Sequence, residues 1–132
     1  MSIGYSATLR NNQLDEITAA VGTSGLLRIY DSPRPATGGA ATTLLAELAC
    51  SATFAAAASA GVLTANAVSD DTAADATGTA TWFRVTTSTG TFVVDGDAGE
   101  SGSGAELILD DAAFVAGGVV TVNSLVVTGG NA

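Results

Sequence analysis

Residues 79–96 read TATWFRVTTSTGTFVVDG, two runs of β-branched and aromatic residues on either side of a Ser-Thr-Gly triplet. Such side chains suit a pleated surface, and a polar, glycine-bearing triplet between them is turn chemistry, so the stretch predicts strands over 79–87 and 90–96. Alternation sends Trp82 and Phe83 to opposite faces of the first strand. One ring is therefore expected in the core and the other under a loop or at a subunit contact, with Arg84 dividing between the same two surroundings.

The same grammar continues in both directions. Short apolar runs at 26–30, 44–50 and 61–68 precede the stretch, and runs at 105–110 and 119–128 follow it. Linkers such as DSPRPATGGA and GDAGESGSG separate them. Seven strands at roughly ten-residue spacing predict a mainly β fold, an antiparallel β-sandwich or jelly-roll-like barrel. One short N-terminal α-helix is expected over 7–21, capped by Ser6 and stopped at Gly22, with Ala7, Leu14, Ile17 and Val21 along its apolar side. Asn11, Asn12, Asp15 and Glu16 are assigned to its wet side. Arg10 projects on the apolar side, where it either snorkels to water or meets an acidic partner. FAAAASA, residues 54–60, leaves a short helix and a turn-rich connection both open. With no repeat and no dividing linker, the reading is a single domain over 1–132, with an N-terminal segment and helix in 1–25 and the β-sandwich in 26–132.

Composition narrows the function. Thirteen acidic residues face four arginines, with no lysine and no histidine, for a net charge of -9. Such a surface repels phosphate, so neither nucleic acid nor an anionic membrane is an expected partner. Without histidine and with Cys50 alone, the chain lacks a Ser-His dyad, a Cys-His pair, a disulfide framework and a zinc cluster. Cys50 reads as a buried free thiol. MSIGYSATLRNNQ has no basic region followed by an apolar run, and no stretch approaches the ~20 apolar residues of a spanning helix, so a soluble protein made in the cytoplasm is expected.

Candidate sites are few. Asp70, Asp71 and Asp75 in DDTAAD lack the alternating oxygen ligands and closing glutamate of an EF-hand, and DGDAGES, residues 95–101, is likewise read as turn chemistry rather than a cation site. No metal or cofactor is expected. Glu47, Glu100 and Glu106 are candidates for paired-carboxylate chemistry, but only seven aromatic residues are present to build a cleft or a sugar platform. GDAGESGSG is not a phosphate loop, since no lysine follows it. Among the arginines, Arg28 and Arg84 sit mid-strand and pair by default with nearby carboxylates, whereas Arg34, between two prolines, suits an outward contact.

LRIYDSPRPA, TLLAELACSATF, DDTAADATGTATWFRV, GTFVVDGD and the closing VTVNSLVVTGGNA, taken together, resemble a family of small virion proteins encoded among the head and tail genes of tailed bacteriophages. The resemblance spans nearly the whole chain and implies a structural, non-enzymatic part of a virus particle. It implies most directly a capsid decoration, or cement, protein that binds the major capsid protein or other virion proteins as a dimer or trimer. A tail, neck or baseplate subunit is the neighbouring alternative, followed by a carbohydrate- or calcium-binding module of a host-recognition fibre and by a small carboxylate hydrolase. Contact residues under this reading are Ile3, Tyr5, Arg10, Arg34, Trp82 and Arg84, with either edge strand available to pair with a neighbour.

Overall fold

The computed structural model describes residues 3–129. One helix, α1 (Ala7–Val21), precedes nine strands: β1 (Leu26–Tyr30), β2 (Leu44–Ala49), β3 (Val62–Thr64), β4 (Gly78–Thr79), β5 (Trp82–Thr86), β6 (Phe92–Gly99), β7 (Leu107–Leu109), β8 (Ala113–Phe114) and β9 (Val122–Thr128). Seven of them form a sheet in the order β2-β1-β5-β6-β7-β9-β3, and β4 and β8 form a two-stranded sheet. The fold is mainly β with one short helix, as the alternating runs predict.

Among the described residues all strand pairings but one are antiparallel. β7 runs parallel to β6 over only two rungs, Ala98 with Leu107 and Gly99 with Ile108. This mixed pairing departs from the all-antiparallel expectation because residues 100–106 fold back alongside β6, with Ser103 N donating to Glu100 O, so β7 starts in the direction of β6. The short seam divides the sheet into a four-stranded half, β2-β1-β5-β6, and a three-stranded half, β7-β9-β3. Their inner side chains share one core that joins Leu27, Ile29, Phe83 and Val85 to Leu63, Leu107 and Leu125. Burying such side chains contributes about 1.5–3 kcal/mol each.

The opening stretch folds as its alternation requires. Phe83 points into the core opposite Gly96, while Trp82 lies on the other face opposite Tyr30. Gly96 stands in mid-strand rather than in a turn, because a methyl group there would lie 2.6 Å from the Phe83 ring. Residues 97–99, read from sequence as linker, continue β6. Residues 79–81 do not all belong to β5, since Gly78 and Thr79 pair with Phe114 and Ala113 instead. β8 lies in a stretch too short and too alanine-rich to show as a strand. Residues 54–60 form no helix. Ala55 bridges Ala65 and Ser59 bridges Val62, around a turn in which Ala60 and Gly61 both have positive φ, at 52° and 74°. That is the backbone of a type I′ hairpin turn.

α1 is capped by Ser6, whose Oγ accepts from Leu9 N at 3.1 Å, and it ends at Gly22. Leu14 and Val21 are buried, but the assignment of Asn11 and Asp15 to a wet side is corrected. Asn11 Oδ1 accepts from Gly61 N at 2.8 Å and Asp15 Oδ1 from Ala58 N at 2.7 Å. These two side chains, one helical turn apart, satisfy backbone donors of the 55–62 hairpin.

Both outer edges of the large sheet carry other parts of the chain. Along β2, Ser69 N donates to Ala49 O, Asp75 N donates to Leu45 O, and Glu47 N donates to Asp71 Oδ2 at 3.2 Å. At β3 the 55–59 run occupies the outward side. Pairing of an outer edge with a neighbouring protein, expected from sequence, is thus opposed by segments already seated there.

Candidate interaction site

The outer face of the four-stranded half carries one polar rung. Register places Glu47, Arg28, Arg84 and Asp95 side by side across β2, β1, β5 and β6. Two arginines directly opposite one another would repel, and each is neutralised by the carboxylate on its far side. Arg28 Nε donates to Glu47 Oε2 at 2.8 Å, with the two side chains 29% and 39% exposed. Arg84 Nε and Nη2 donate to the two oxygens of Asp95 at 2.7 and 3.0 Å, with side chains only 12% and 2% exposed.

The difference in burial comes from the loop between β1 and β2. DSPRPATGGA crosses β5 to reach β6, where Gly38 N donates to Asp95 Oδ2 at 3.0 Å and Gly39 O accepts from Arg84 Nη2 at 2.9 Å. Asp31 closes the loop at its base, exchanging backbone and side-chain bonds with Thr43. Beneath it, Trp82 stacks on Tyr30 at a ring separation of 4.3 Å, and its Nε1 donates to Asp31 O and Thr42 Oγ1. The Arg84 guanidinium lies 5.3 Å from the Trp82 ring centre and 5.2 Å from that of Phe92. Burial alone would raise the pKa of Asp95, but the hydrogen bonds from Arg84 and Gly38 and the charges of Arg84 and Arg34 outweigh it and hold the carboxyl below its usual value. The hydrogen bond to Asp95 raises the Arg84 pKa against the opposing effect of burial.

The residues singled out from sequence separate into two groups. Trp82 is fully buried under the loop and Arg84 is committed to Asp95, so within this chain neither presents an outward contact. Arg34 stands at the rim, 3.5 Å from Asp97, with its side chain 41% exposed. Arg10 neither reaches water fully nor meets a carboxylate among the described residues. Its guanidinium lies against Gly61, and its Nε is buried without a hydrogen-bond partner. Ile3 and Tyr5 are 51% and 37% exposed at the N-terminal end, near Leu9 in sequence, itself 43% exposed.

Several carboxylates of the acidic stretches hold the chain's own backbone or an arginine. Asp71 Oδ1 accepts from Ala73 N in a turn while its other oxygen holds β2, and Asp95 belongs to the buried pair. Glu106 Oε1 accepts from Asp97 N, and Glu100 Oε2 from Ala112 N, both at 3.0 Å. Among the described residues no three potential ligands are grouped to hold a metal ion. Cys50 is half-buried, and burial pushes its thiol up to about 11.

Sequence reasoning missed the four-residue rung and its loop cover. The only signal was that Arg28 and Arg84 each follow an apolar residue at mid-strand, and register alone shows that they are neighbours. No helix of the described chain is long and apolar enough to cross a membrane. Comparison of the chain with protein-family models, curated proteins and solved structures finds no match.

Proposed function

We propose that the protein is a structural component of a tailed-bacteriophage virion, and within that class a decoration protein that binds the outer capsid surface and stabilises the expanded head. The observation that carries this reading is how the side chains are divided. Carboxylates and arginines are largely spent on the protein's own backbone and on one another, as at Asp15, Asp71 and the Arg84–Asp95 pair. At the same time, among the described residues, six large apolar side chains are left outside: Ile3, Tyr5, Leu9, Phe92, Val115 and Val119 are between 37% and 67% exposed. That division suits a subunit whose work is to bind other proteins.

In this role a homodimer or homotrimer bridges neighbouring capsid subunits, and binding to the expanded shell stabilises it by mass action over other states. Many weak contacts across a multivalent shell combine into high avidity. The protein is made in the host cytoplasm and ends in the virion. Mixing purified protein with expanded, undecorated heads and sedimenting them tests the proposal, with co-sedimentation and a raised head-disruption temperature expected. A protein that stays monomeric and never sediments with heads overturns it, and sedimentation with tails alone moves it to the tail or baseplate.

A further inference from the structure

The large sheet contains a gap. β7 is three residues long yet lies between β6, of eight residues, and β9, of seven. It pairs with β6 only at Ala98 and Gly99, so upstream of that seam no strand of the described chain lies between β6 and β9. A cleft of about 430 Å³ occupies the place, lined by Asp95 and residues 104–106 and 126–128.

Hydrogen-bond alternation identifies what faces it. Ala98 N donates to Thr81 O, which makes alternate β6 residues the ones bonded to β5 and turns the backbone groups of Asp95 and Asp97 away from β5. Ala65 N donates to Leu125 O, and the same alternation turns those of Val126 and Thr128 away from β3. Glu106 already uses two of these groups at the seam end: its Oε1 takes Asp97 N and its carbonyl takes Val126 N. Beyond the seam, the backbone of Asp95 on one wall and of Thr128 on the other face the cleft.

The geometry points to this cleft as a docking slot for an extended, basic segment of a different protein chain, which inserts between β6 and β9 as the missing length of middle strand. Two walls of strand backbone are matched by another strand, which donates and accepts on both sides. The Glu106 carboxylate stands in the cleft, and no arginine pairs with it among the described residues. A second copy is a poor occupant. The chain has no lysine and a net charge of -9, three of its arginines are ion-paired, and Arg10 sits on a helix. The inference rests on the assembly reading for its biological setting, but it is tested on the isolated protein, so failure to bind heads and failure of the slot are separate results.

The probe is a capped synthetic peptide of alternating valine and threonine flanked by lysines, titrated into isotopically labelled full-length protein and followed by amide chemical shifts. Saturable shifts concentrated at Asp95, Glu106 and Thr128 are expected at about 1 mM peptide or below. At least tenfold weaker binding is expected when alternate peptide amides are N-methylated, and when the lysines are replaced by glutamates. Glu106→Gln, which keeps the acceptor for Asp97 N, is expected to weaken the lysine peptide several-fold while leaving the remaining spectrum folded. Shifts scattered over the acidic surface, equal binding of the N-methylated or glutamate peptides, or no shifts at all overturn the proposal. Concentration-dependent self-association that protects Asp95 and Thr128 from peptide overturns it in favour of a second copy.

Discussion

Asp95→Ala is the substitution that most directly tests the covered face. It removes the carboxylate that accepts two bonds from Arg84 and one from Gly38, at 2.7, 3.0 and 3.0 Å. The guanidinium left behind has a side chain only 12% exposed and keeps one bond, to Gly39 O. Breaking a buried pair by removing one partner costs roughly 3–5 kcal/mol, and the remaining bond and partial exposure place this case near 3. An unfolding entropy of about 2.1 cal/mol/K per residue over 132 residues converts that loss into a Tm lower by about 11 °C. Calorimetry measures the shift. Because Trp82 is the chain's sole tryptophan and lies under the loop that Asp95 anchors, its emission should also move to longer wavelength. Glu47→Ala on the same rung is the internal control, since its pair with Arg28 is 29% and 39% exposed and should be worth under about 1 kcal/mol. Adding Arg84→Met to Asp95→Ala should recover part of the loss, because no buried charge is then left unpaired. Equal costs for Asp95→Ala and Glu47→Ala, with unchanged Trp82 emission, would show that the Arg84–Asp95 pair neither carries a buried charge nor holds the loop.

Four further outcomes follow from the same contacts. The Asp95 pKa is lowered in the folded protein, so its contribution is present above the ordinary carboxylate value near 3.9 and is lost as pH falls through the lower folded value; Asp95→Asn should flatten the acid limb of a stability-versus-pH curve below about pH 4. Gly96→Ala places a methyl group 2.6 Å from the ring of Phe83, which is 1% exposed, and should cost about 1–3 kcal/mol in urea unfolding. Ala60→Asn should raise stability by about 0.5–1 kcal/mol in the same assay, because Ala60 holds φ 52° at the first central position of a type I′ turn that favours asparagine. Cys50, with its thiol pushed up to about 11, should react with a disulfide reagent at pH 8 about 100-fold more slowly than free cysteine, and reaction at the free rate would contradict its burial.

The exposed and buried fates of the arginines show where sequence reading stops. Arg34 is legible as a rim residue because two prolines restrict its loop locally. Arg84 is not, because its partner Asp95 and its flanking ring of Phe92 come from β6 and its roof at Gly38 and Gly39 from the loop between β1 and β2. Gly96 shows the same limit. In DGD it has the neighbours of a turn glycine, and only its register against Phe83 reveals a strand glycine that makes room for a ring.

The local elements are legible in the residues alone: the capped helix over 7–21, the alternating strands, and the assignment of Trp82 and Phe83 to opposite faces. These follow from dihedral preferences and from periodicities of 3.6 and 2, which act within a few residues. The strand order, the parallel seam between β6 and β7, the rung of Glu47, Arg28, Arg84 and Asp95, and the gap beside β7 emerge from long-range packing. Each of these depends on which distant backbone satisfies a given edge. Hydrogen-bonding edges are nearly alike along every strand, so that choice is made by the packing of the whole chain.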